Sequence, residues 1–205
     1  MNDCMKMSRQ KTVFLLSAVT LSIGISLHFL AVEPEVALIF GEPWEDMRKR
    51  SSASIGPAIP GHHWFGMPRS DARLHFIDPE YAFTTPPARF LTVSFDSDQH
   101  VSGVRMSPQV EPLLLDDTLK VVLDLQAQWR MSGWVPVRAK YDPPIEDTPE
   151  WRTKLQDIYQ GGTSYWQAGN KYQVMLVTHR FRDERHPDEE RYLITLSLGK
   201  PWVRP

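Results

Sequence analysis

The amino-acid sequence predicts an α+β fold in which antiparallel hairpins pack with three helices, preceded by an N-terminal transmembrane helix. Three observations lead to this prediction. Residues 12–32 are apolar and contain no Asp, Glu, Lys or Arg. Strand-like segments come in neighbouring pairs joined by polar turns, whereas a parallel sheet needs a crossover helix between strands. Residues 116–132 have the apolar periodicity of a long helix.

The apolar run is long enough to cross a membrane. Its 21 residues span about 31 Å as a helix, close to the roughly 30 Å hydrocarbon core of a bilayer. Residues 1–11 carry three bases and one acid, which predicts a cytoplasmic tail, a single-pass inner-membrane anchor at 12–32 and a periplasmic domain at 33–205. A cleaved secretory signal has the same pattern and would leave a soluble periplasmic protein, so both alternatives stay open.

Charge and cysteine content limit the function classes. The chain's net charge of −2 and the tail's +2 leave residues 33–205 near −4, and a nucleic-acid-binding surface would be basic. We therefore expect no nucleic-acid partner. Cys4 is the only cysteine and precedes the apolar run. The exported part cannot form an internal disulfide, so its stability must come from packing.

The first predicted helix covers about residues 43–52. Pro43 suits the first helical position because its missing N–H would have no partner there. Acids in the first turn and bases in the last turn match the helix dipole. Residues 55–69 contain three Pro and three Gly, which predicts a long irregular loop.

Strands are predicted next at residues 72–77, 89–95 and 101–106, and the polar turn "DSDQH" makes a hairpin of the last two. In the first strand, Leu74 and Phe76 share one face.

The strongest helix prediction is 116–132, with Asp116 as its N-terminal cap and Gly133 at its end. Its apolar side consists of residues spaced three or four apart: Leu115, Leu119, Val122, Leu125 and Trp129.

The C-terminal third repeats the helix-then-strands order. A helix at 149–160 is capped by Thr148, and one side of it faces a core with Trp151, Leu155, Ile158 and Tyr159. A short strand at 163–169 precedes long strands at 171–181 and 191–198, which are joined by an exposed charged loop.

One helix followed by a small antiparallel sheet thus occurs on each side of helix 116–132. Two halves, residues 40–110 and 134–205, fit this order. No residue-level repeat supports a duplication, which therefore stays a hypothesis.

Candidate metal ligands lie in the first loop. His62 and His63 could combine with Asp71 and His75, but adjacent His side chains seldom converge on one ion, and the spacing of a usual zinc site is absent. A surface or partly packed His pair is the favoured interpretation.

His179 and His186 flank an acidic loop without the ligand alternation of a calcium site. We expect no metal and no cofactor.

Nothing in the sequence favours an enzyme. The chain has no Gly-x-Ser-x-Gly elbow, and its paired acids, Asp116 with Asp117 and Glu189 with Glu190, lie at a helix start and in a loop. Acids are expected at such positions for structural reasons.

Aromatic residues in the loops are the best candidates for a protein-binding surface, because aromatic side chains are enriched at interfaces. These residues are Trp64, Phe65, Tyr81, Phe83 and Trp202. The alternative is that they cover the edges of the core.

Several stretches resemble uncharacterised bacterial envelope proteins that occur in type VI secretion gene neighbourhoods. They are "FGEPWEDMRKRSS", "ARFLTVSFDSDQHVSGVRMSPQVEPLLLDDTLKVVLDLQAQWRMSGW", "KYQVML" and "RYLITLSLGKPWV". The resemblance implies an anchored or exported protein and, as its most specific form, an immunity protein that neutralises a secreted toxic effector. A second likeness is to small lipoproteins of outer-membrane assembly, although this chain lacks their lipidated cysteine.

The leading hypothesis is therefore a non-enzymatic periplasmic binding protein, anchored by residues 12–32, whose partner is a protein such as a secreted toxin. The first alternative is an envelope assembly or scaffold component. The second is an enzyme of unknown class that uses His62 or His63.

Overall fold

The structure of the protein, a computed structural model, describes residues 33–204. The predicted cytoplasmic tail, residues 1–11, and the predicted membrane segment, residues 12–32, lie outside the described residues. Within residues 33–204, no helix is both long and apolar enough to cross a membrane.

The predicted α+β class is confirmed. Residues 33–204 form three helices, α1 (Trp44–Arg50), α2 (Leu115–Met131) and α3 (Pro149–Gln156). The same residues form ten strands: β1 (Glu35–Leu38), β2 (Trp64–Gly66), β3 (Arg73–Phe76), β4 (Phe83–Thr84), β5 (Phe90–Phe95), β6 (Val101–Ser107), β7 (Val135–Val137), β8 (Gly162–Ala168), β9 (Tyr172–Phe181) and β10 (Arg191–Gly199).

Seven strands make one antiparallel sheet in the order β2–β5–β6–β10–β9–β8–β7. Two hairpins, β5–β6 and β9–β10, meet in its middle, where Leu196 of β10 lies opposite Met106 of β6. A smaller sheet has the order β1–β3–β4, with β1 parallel and β4 antiparallel to β3.

The order of the large sheet is nearly symmetrical about the β6–β10 pair. On one side follow β5 and β2, and on the other follow β9, β8 and then β7, which has no counterpart on the first side. In each direction the chain order is a short helix, an outer strand and then a hairpin, and the small sheet is inserted only on the first side. Residues 40–110 and 134–205 therefore build one shared sheet, and their duplication remains a hypothesis.

One face of the large sheet carries the core. Along β10, Tyr192, Ile194, Leu196 and Leu198 are at most 2% exposed, in the alternation that the sequence predicts. The apolar side of α2 covers this face. Gln126 of α2 is fully buried, and it exchanges two hydrogen bonds with the backbone of Ile145, at 2.7 and 3.0 Å. The segment before α3 is thereby held against α2.

The small sheet adds aromatic side chains to the core. Leu74 and Phe76 are fully buried on one face of β3, as predicted. The Phe76 ring meets the Tyr172 ring of β9 edge to face, with centroids 5.1 Å apart. Such edge contacts stabilise aromatic pairs beyond the area they bury.

A buried carboxylate joins this region to β9. Asp78 is 3% exposed and accepts hydrogen bonds from the backbone N–H groups of Glu80 and Tyr81 and from the Tyr172 hydroxyl at 2.9 Å. Burial acts to raise the pKa of the Asp78 carboxyl, but these hydrogen bonds outweigh it and lower that pKa. Burial, with the Asp78 hydrogen bond, raises the pKa of Tyr172 to about 12.

Two helix boundaries differ from the prediction. Asp116 does not cap α2, because Leu114 is at the cap position without a side-chain hydrogen bond, and Asp116 instead pairs with Arg152 at 2.7 Å. The end of α3 is at Gln156, not residue 160. The Asp157 side chain accepts a hydrogen bond from the backbone N–H of Tyr159, a local bond that competes with helix continuation.

The early end of α3 corrects the predicted helix face as well. Ile158 and Tyr159 lie beyond α3 and are exposed, while Leu155 is buried. Two other end signals are confirmed. Thr148 caps α3 by accepting a hydrogen bond from the N–H of Trp151 at 3.3 Å, and Gly133 follows α2 with a φ of +75°.

Four short strands, β1, β2, β4 and β7, were not predicted from the sequence. Each has two to four residues, too few to display a period of two. β2 lies inside the predicted irregular loop and forms only because β5 offers it a free edge, with Trp64 opposite Phe95. Such strands depend on their neighbours for hydrogen bonds, so local sequence does not reveal them.

Candidate protein-binding face

The face of the large sheet opposite α2 is left partly exposed, and we call it the open face. Cross-strand pairing arranges its central side chains in three rows, and the β9–β10 hairpin extends the face beyond them with the pairs Leu193–His179 and Arg191–Phe181. The first row is Phe90, Ser107, Thr195, Val177 and Thr163. The second row is Thr92, Arg105, Ser197, Met175 and Tyr165. The third row is Phe65, Ser94, Gly103, Gly199, Gln173 and Gln167.

The composition of these rows is unusual for a solvated face. An antiparallel sheet with one face in water typically places polar and charged residues outward. Here apolar and aromatic side chains alternate with small hydroxyl groups, and Arg105 is the only charged residue in the three rows. The Phe65 side chain is 64% exposed, and Phe90 is also exposed.

A pocket of about 360 Å³ opens at one end of the open face. It is lined by Arg89, Phe90, Ser107, Gln109, Val110, Glu111, Pro112, Leu193 and Thr195. Two residues of β10 lie on one side, and residues 109–112, which follow β6, form the opposite wall. The pocket has the size and apolar lining to receive a side chain of a partner.

Gln109 holds this wall in place. Its side chain is buried, and its Nε2 donates to the carbonyl oxygens of Glu111 at 2.9 Å and of Tyr192 at 3.0 Å. Its Oε1 accepts from the N–H of Ile194 at 2.8 Å. Gln109 thus satisfies backbone groups of β10 beyond the point where β6 stops pairing with it. The wall is an ordered part of the fold.

The C-terminal segment forms a second wall at the opposite end. The Gln173 side chain is fully buried, and its Oε1 accepts from the N–H groups of Trp202 at 3.1 Å and Val203 at 2.9 Å. Its Nε2 donates to the carbonyl of Val203 at 2.9 Å. The Trp202 ring lies over Gly199, where a Cβ would come within 3.4 Å of the ring. The first two rows therefore lie between two walls.

Arg105 differs from the other arginines around the open face. Arg89 lies near Asp71 at 3.5 Å and Glu111 at 3.9 Å. Arg138 pairs with Asp142 at 2.9 Å and lies over the Tyr165 ring. Within the part of the chain that the structure describes, the exposed Arg105 side chain has no ion pair and no hydrogen bond. Its charge is available to an incoming group.

The structure separates the five aromatic residues that the sequence predicts as a binding surface. Phe65 lies on the open face. Trp202 is 47% exposed and belongs to the C-terminal wall at the edge of that face. Trp64 points the other way and stacks on Phe95, with centroids 5.6 Å apart. Tyr81 and Phe83 are buried in the aromatic part of the core. Only Phe65 and Trp202 are placed to meet a partner there.

Sequence reasoning missed Phe90, Arg105, Val110 and Leu193. Their strands were predicted, but strand alternation does not tell which face a helix will cover. The available signal was a strand in which both alternating sets are uncharged: in β5, Phe90 and Thr92 alternate with Leu91 and Val93. Such a strand can be covered on both faces, on one by a helix of the same chain and on the other by a binding partner.

The residues considered as metal ligands are dispersed. Asp71 lies near Arg89, and the Nδ1 of His75 lies 3.1 Å from a carboxylate oxygen of Glu35. His186 contacts Asp183 within its own loop.

Among residues 33–204, one group of three metal-ligand side chains lies close together: Asp96, Asp98 and His100. They belong to the β5–β6 turn, where Asp96 accepts hydrogen bonds from the backbone of the other two. The turn itself accounts for this geometry.

Comparison with known proteins adds no family. No protein-family model, curated protein or solved structure matches the chain. The resemblance to envelope proteins of secretion neighbourhoods therefore stays a prediction. The function has to be inferred from the open face itself.

Proposed function

We propose that the protein is a non-enzymatic, membrane-anchored binding protein of the bacterial periplasm that holds a partner protein on the open face. The observation that carries this proposal is the composition of that face: an exposed Phe65, an exposed Phe90 that lines an apolar pocket, an Arg105 without a side-chain partner among residues 33–204, and no acid in the three rows. Aromatic residues and arginine are enriched at protein interfaces, and acids are depleted there.

The size of the face suits a protein partner. Seven strands spaced about 4.8 Å apart span about 29 Å, and the residues from Gly199 back to Leu193 span about 20 Å along β10. The resulting footprint, which includes the parts of the sheet that the two walls cover, is about 600 Å², against the roughly 800 Å² that each partner buries in a standard interface. A small ligand would need only the pocket.

The ionisable groups favour binding over catalysis. Within residues 33–204, the carboxylates with a lowered pKa lie in turns, near the start of α3 or in the core: Asp78, Asp96, Asp147, Glu150, Asp157 and Asp183. Their hydrogen bonds go to nearby backbone and side-chain groups. None of them belongs to the open face, where a catalytic group would meet a substrate.

The specific form of the proposal is immunity. The resemblance to proteins of type VI secretion neighbourhoods, together with the predicted anchor at residues 12–32, supports a role in which the protein waits in the periplasm and neutralises a secreted effector. An envelope assembly or scaffold component would use the same face for a resident membrane protein.

A survival assay with the full-length chain tests the proposal. Each protein encoded beside this gene is directed to the periplasm of test cells, and the proposal expects one, the effector, that kills cells without the wild-type protein and spares cells that carry it. Replacing Phe90 with Asp places a charge at the pocket, and we expect it to weaken binding by about 100-fold or more, as loss of an interface hot spot does, and so to lower survival. Met131→Asp is the matched control, because Met131 is 81% exposed at the end of α2, outside the open face.

The outcomes separate the alternatives. Equal killing with and without the wild-type protein would refute immunity. Full protection by a Phe65→Asp, Phe90→Asp double variant would refute the open face as the binding surface. If immunity fails, a photo-crosslinking residue at position 90 that captures a resident envelope protein would favour the scaffold role.

A further inference from the structure

Resting on the proposed function, we infer that the open face recognises an amphipathic helix of the partner whose apolar side carries one acidic residue, and that this acid pairs with Arg105. The inference names the chemistry of the partner segment. It follows from the backbone of the sheet, the charge at its centre and the space between the two walls.

The sheet's own hydrogen bonding favours a helix. The N–H and C=O groups of β5, β6, β10, β9 and β8 bond to neighbouring strands within the sheet plane, so the open face offers an incoming segment only side chains. An extended segment would leave its own backbone groups without partners, because strand addition requires a sheet edge. A helix satisfies its backbone internally.

The space between the walls also fits a helix. The rows are about 7 Å apart along the strands, and the first two rows lie between residues 109–112 and the C-terminal segment. Measured along β10, two to three row spacings separate the third row, beside the C-terminal segment, from Leu193, beside residues 109–112. The distance between the two walls is therefore about 14–20 Å. A helix with its side chains is about 10–12 Å across. It would run across the strands, parallel to the walls.

Arg105 requires an acid from this helix. An arginine that is covered by apolar surface without a partner loses its hydration and gains nothing in return. The side chains directly beside it in the second row are Thr92 and Ser197, which cannot neutralise it. The Thr92 hydroxyl already donates to the Arg105 carbonyl at 3.0 Å. A carboxylate from the partner can pair with the guanidinium through two hydrogen bonds.

The positions of the apolar residues follow from the same geometry. β9 is two strands away from β6 across the sheet, a distance of about 9.6 Å. A helix residue seven positions from the acid lies about 10.5 Å along the axis, which places it over Met175 and Val177 of β9. A partner helix with an acid and an apolar residue seven positions apart therefore matches both contacts.

Arg105→Met tests the inference, since it removes the charge and retains an unbranched apolar side chain. We expect it to weaken binding of the purified effector to the detergent-solubilised full-length protein by about 30-fold or more, the effect of breaking a covered charge pair. Lys49→Met on α1, an exposed cation away from the open face, should change binding by less than about 2-fold. Thermal unfolding of both variants should nearly match the wild type, because Arg105 makes no side-chain hydrogen bond or ion pair among residues 33–204 and the Lys49–Asp46 pair is exposed.

A selection gives a second measurement. Arg105→Glu should abolish protection in the survival assay, and effector variants that restore it should replace an acid in a helical segment with Lys or Arg. If Phe90→Asp removes protection while Arg105→Met and Arg105→Glu retain it, the proposed function stands and this inference is wrong. If none of these variants changes protection, the open face itself is not the binding site. Effector variants that restore protection without replacing an acidic residue would also contradict the proposed pairing with Arg105.

Discussion

The two faces of the seven-stranded sheet are built from the same strands and serve different purposes. On β10, Ile194 and Leu196 are fully buried under α2, whereas Leu193 and Thr195 alternate with them and line the open pocket. Each strand therefore divides its residues between the core and the open face, which we propose for recognition. The comparison teaches that an apolar side chain in this sheet can belong to the core or to the open face, and that residue type alone does not distinguish the two.

The polar groups of the two sides differ in the same way. On the core side, the Asp78 carboxylate is buried and accepts three hydrogen bonds. On the open face, Arg105 is exposed and has no partner within the described residues. A buried polar group must be satisfied for the protein to fold. The charge of Arg105 is solvated by water as long as the face is open. A partner that covers the face must replace that water with a group of opposite charge, which is why we propose a role for Arg105 in binding.

The largest expected contrast comes from neighbouring residues on β10. Ile194→Ala leaves a cavity under α2 and should lower the free energy of unfolding by about 2–5 kcal/mol. Leu193→Ala should lower it by less than about 1 kcal/mol, because its side chain is already partly solvated. Urea unfolding of the two variants measures both values. Similar losses would mean that the open face is as tightly packed as the core.

A smaller effect is expected from Asp78→Asn, which weakens the hydrogen bonds that join the small-sheet region to β9. It should cost about 1–3 kcal/mol near neutral pH. Because the folded-state pKa of Asp78 is lowered, its ionic contribution is present above the unfolded-state pKa, about 3.9, and is lost as pH falls through the folded-state value. The stability difference between wild type and variant should therefore shrink below about pH 4.

The expected decrease can be tested by comparing the unfolding midpoints of the wild type and Asp78→Asn near pH 7 and near pH 3. The other carboxyl groups titrate in both proteins, so the difference isolates Asp78. A difference that is equal at both pH values would show that Asp78 contributes without ionisation.

The smallest effect on stability is expected from Gln173→Ala, which removes three hydrogen bonds to the C-terminal wall. We expect a loss below about 1 kcal/mol, because the released backbone groups become solvated. Hydrogen exchange at the Trp202 and Val203 amides should nevertheless accelerate by about 100-fold through local opening. Gln156→Ala is the control, since Gln156 is exposed at the end of α3 and its side chain makes no hydrogen bond to the wall within the described residues. Unchanged exchange would contradict a wall held by Gln173.

Local patterns were sufficient for much of the fold. The alternation of β10, the periodicity of α2 and the Thr148 cap each depend on residues close in sequence, and the structure has all three. β9 shows where such patterns stop. Val174 and Leu176 are buried against the core while Met175 and Val177 lie on the open face, yet all four are apolar, so no period separates them.

The candidate site was less predictable than the fold. Phe65 and Trp202 were identified as aromatic residues in loops, but Tyr81 and Phe83 have the same signal and are buried in the core. Whether a loop aromatic is exposed depends on which distant residues cover it. Tyr81, for example, packs against Trp134 and Tyr172, which are more than fifty residues away in the chain.

The sequence by itself determined the class of the fold, the positions of the periodic helices and strands, and the apolar run at residues 12–32, because each depends on a short window of residues. Tertiary structure alone decided that β6 pairs with β10, that Gln109 and Gln173 hold two walls, and that Arg105 lies between them with no side-chain partner in the part of the chain that the structure describes. These features depend on contacts between residues about 30 to 90 positions apart, and the free energy of such contacts is set by the whole packed chain.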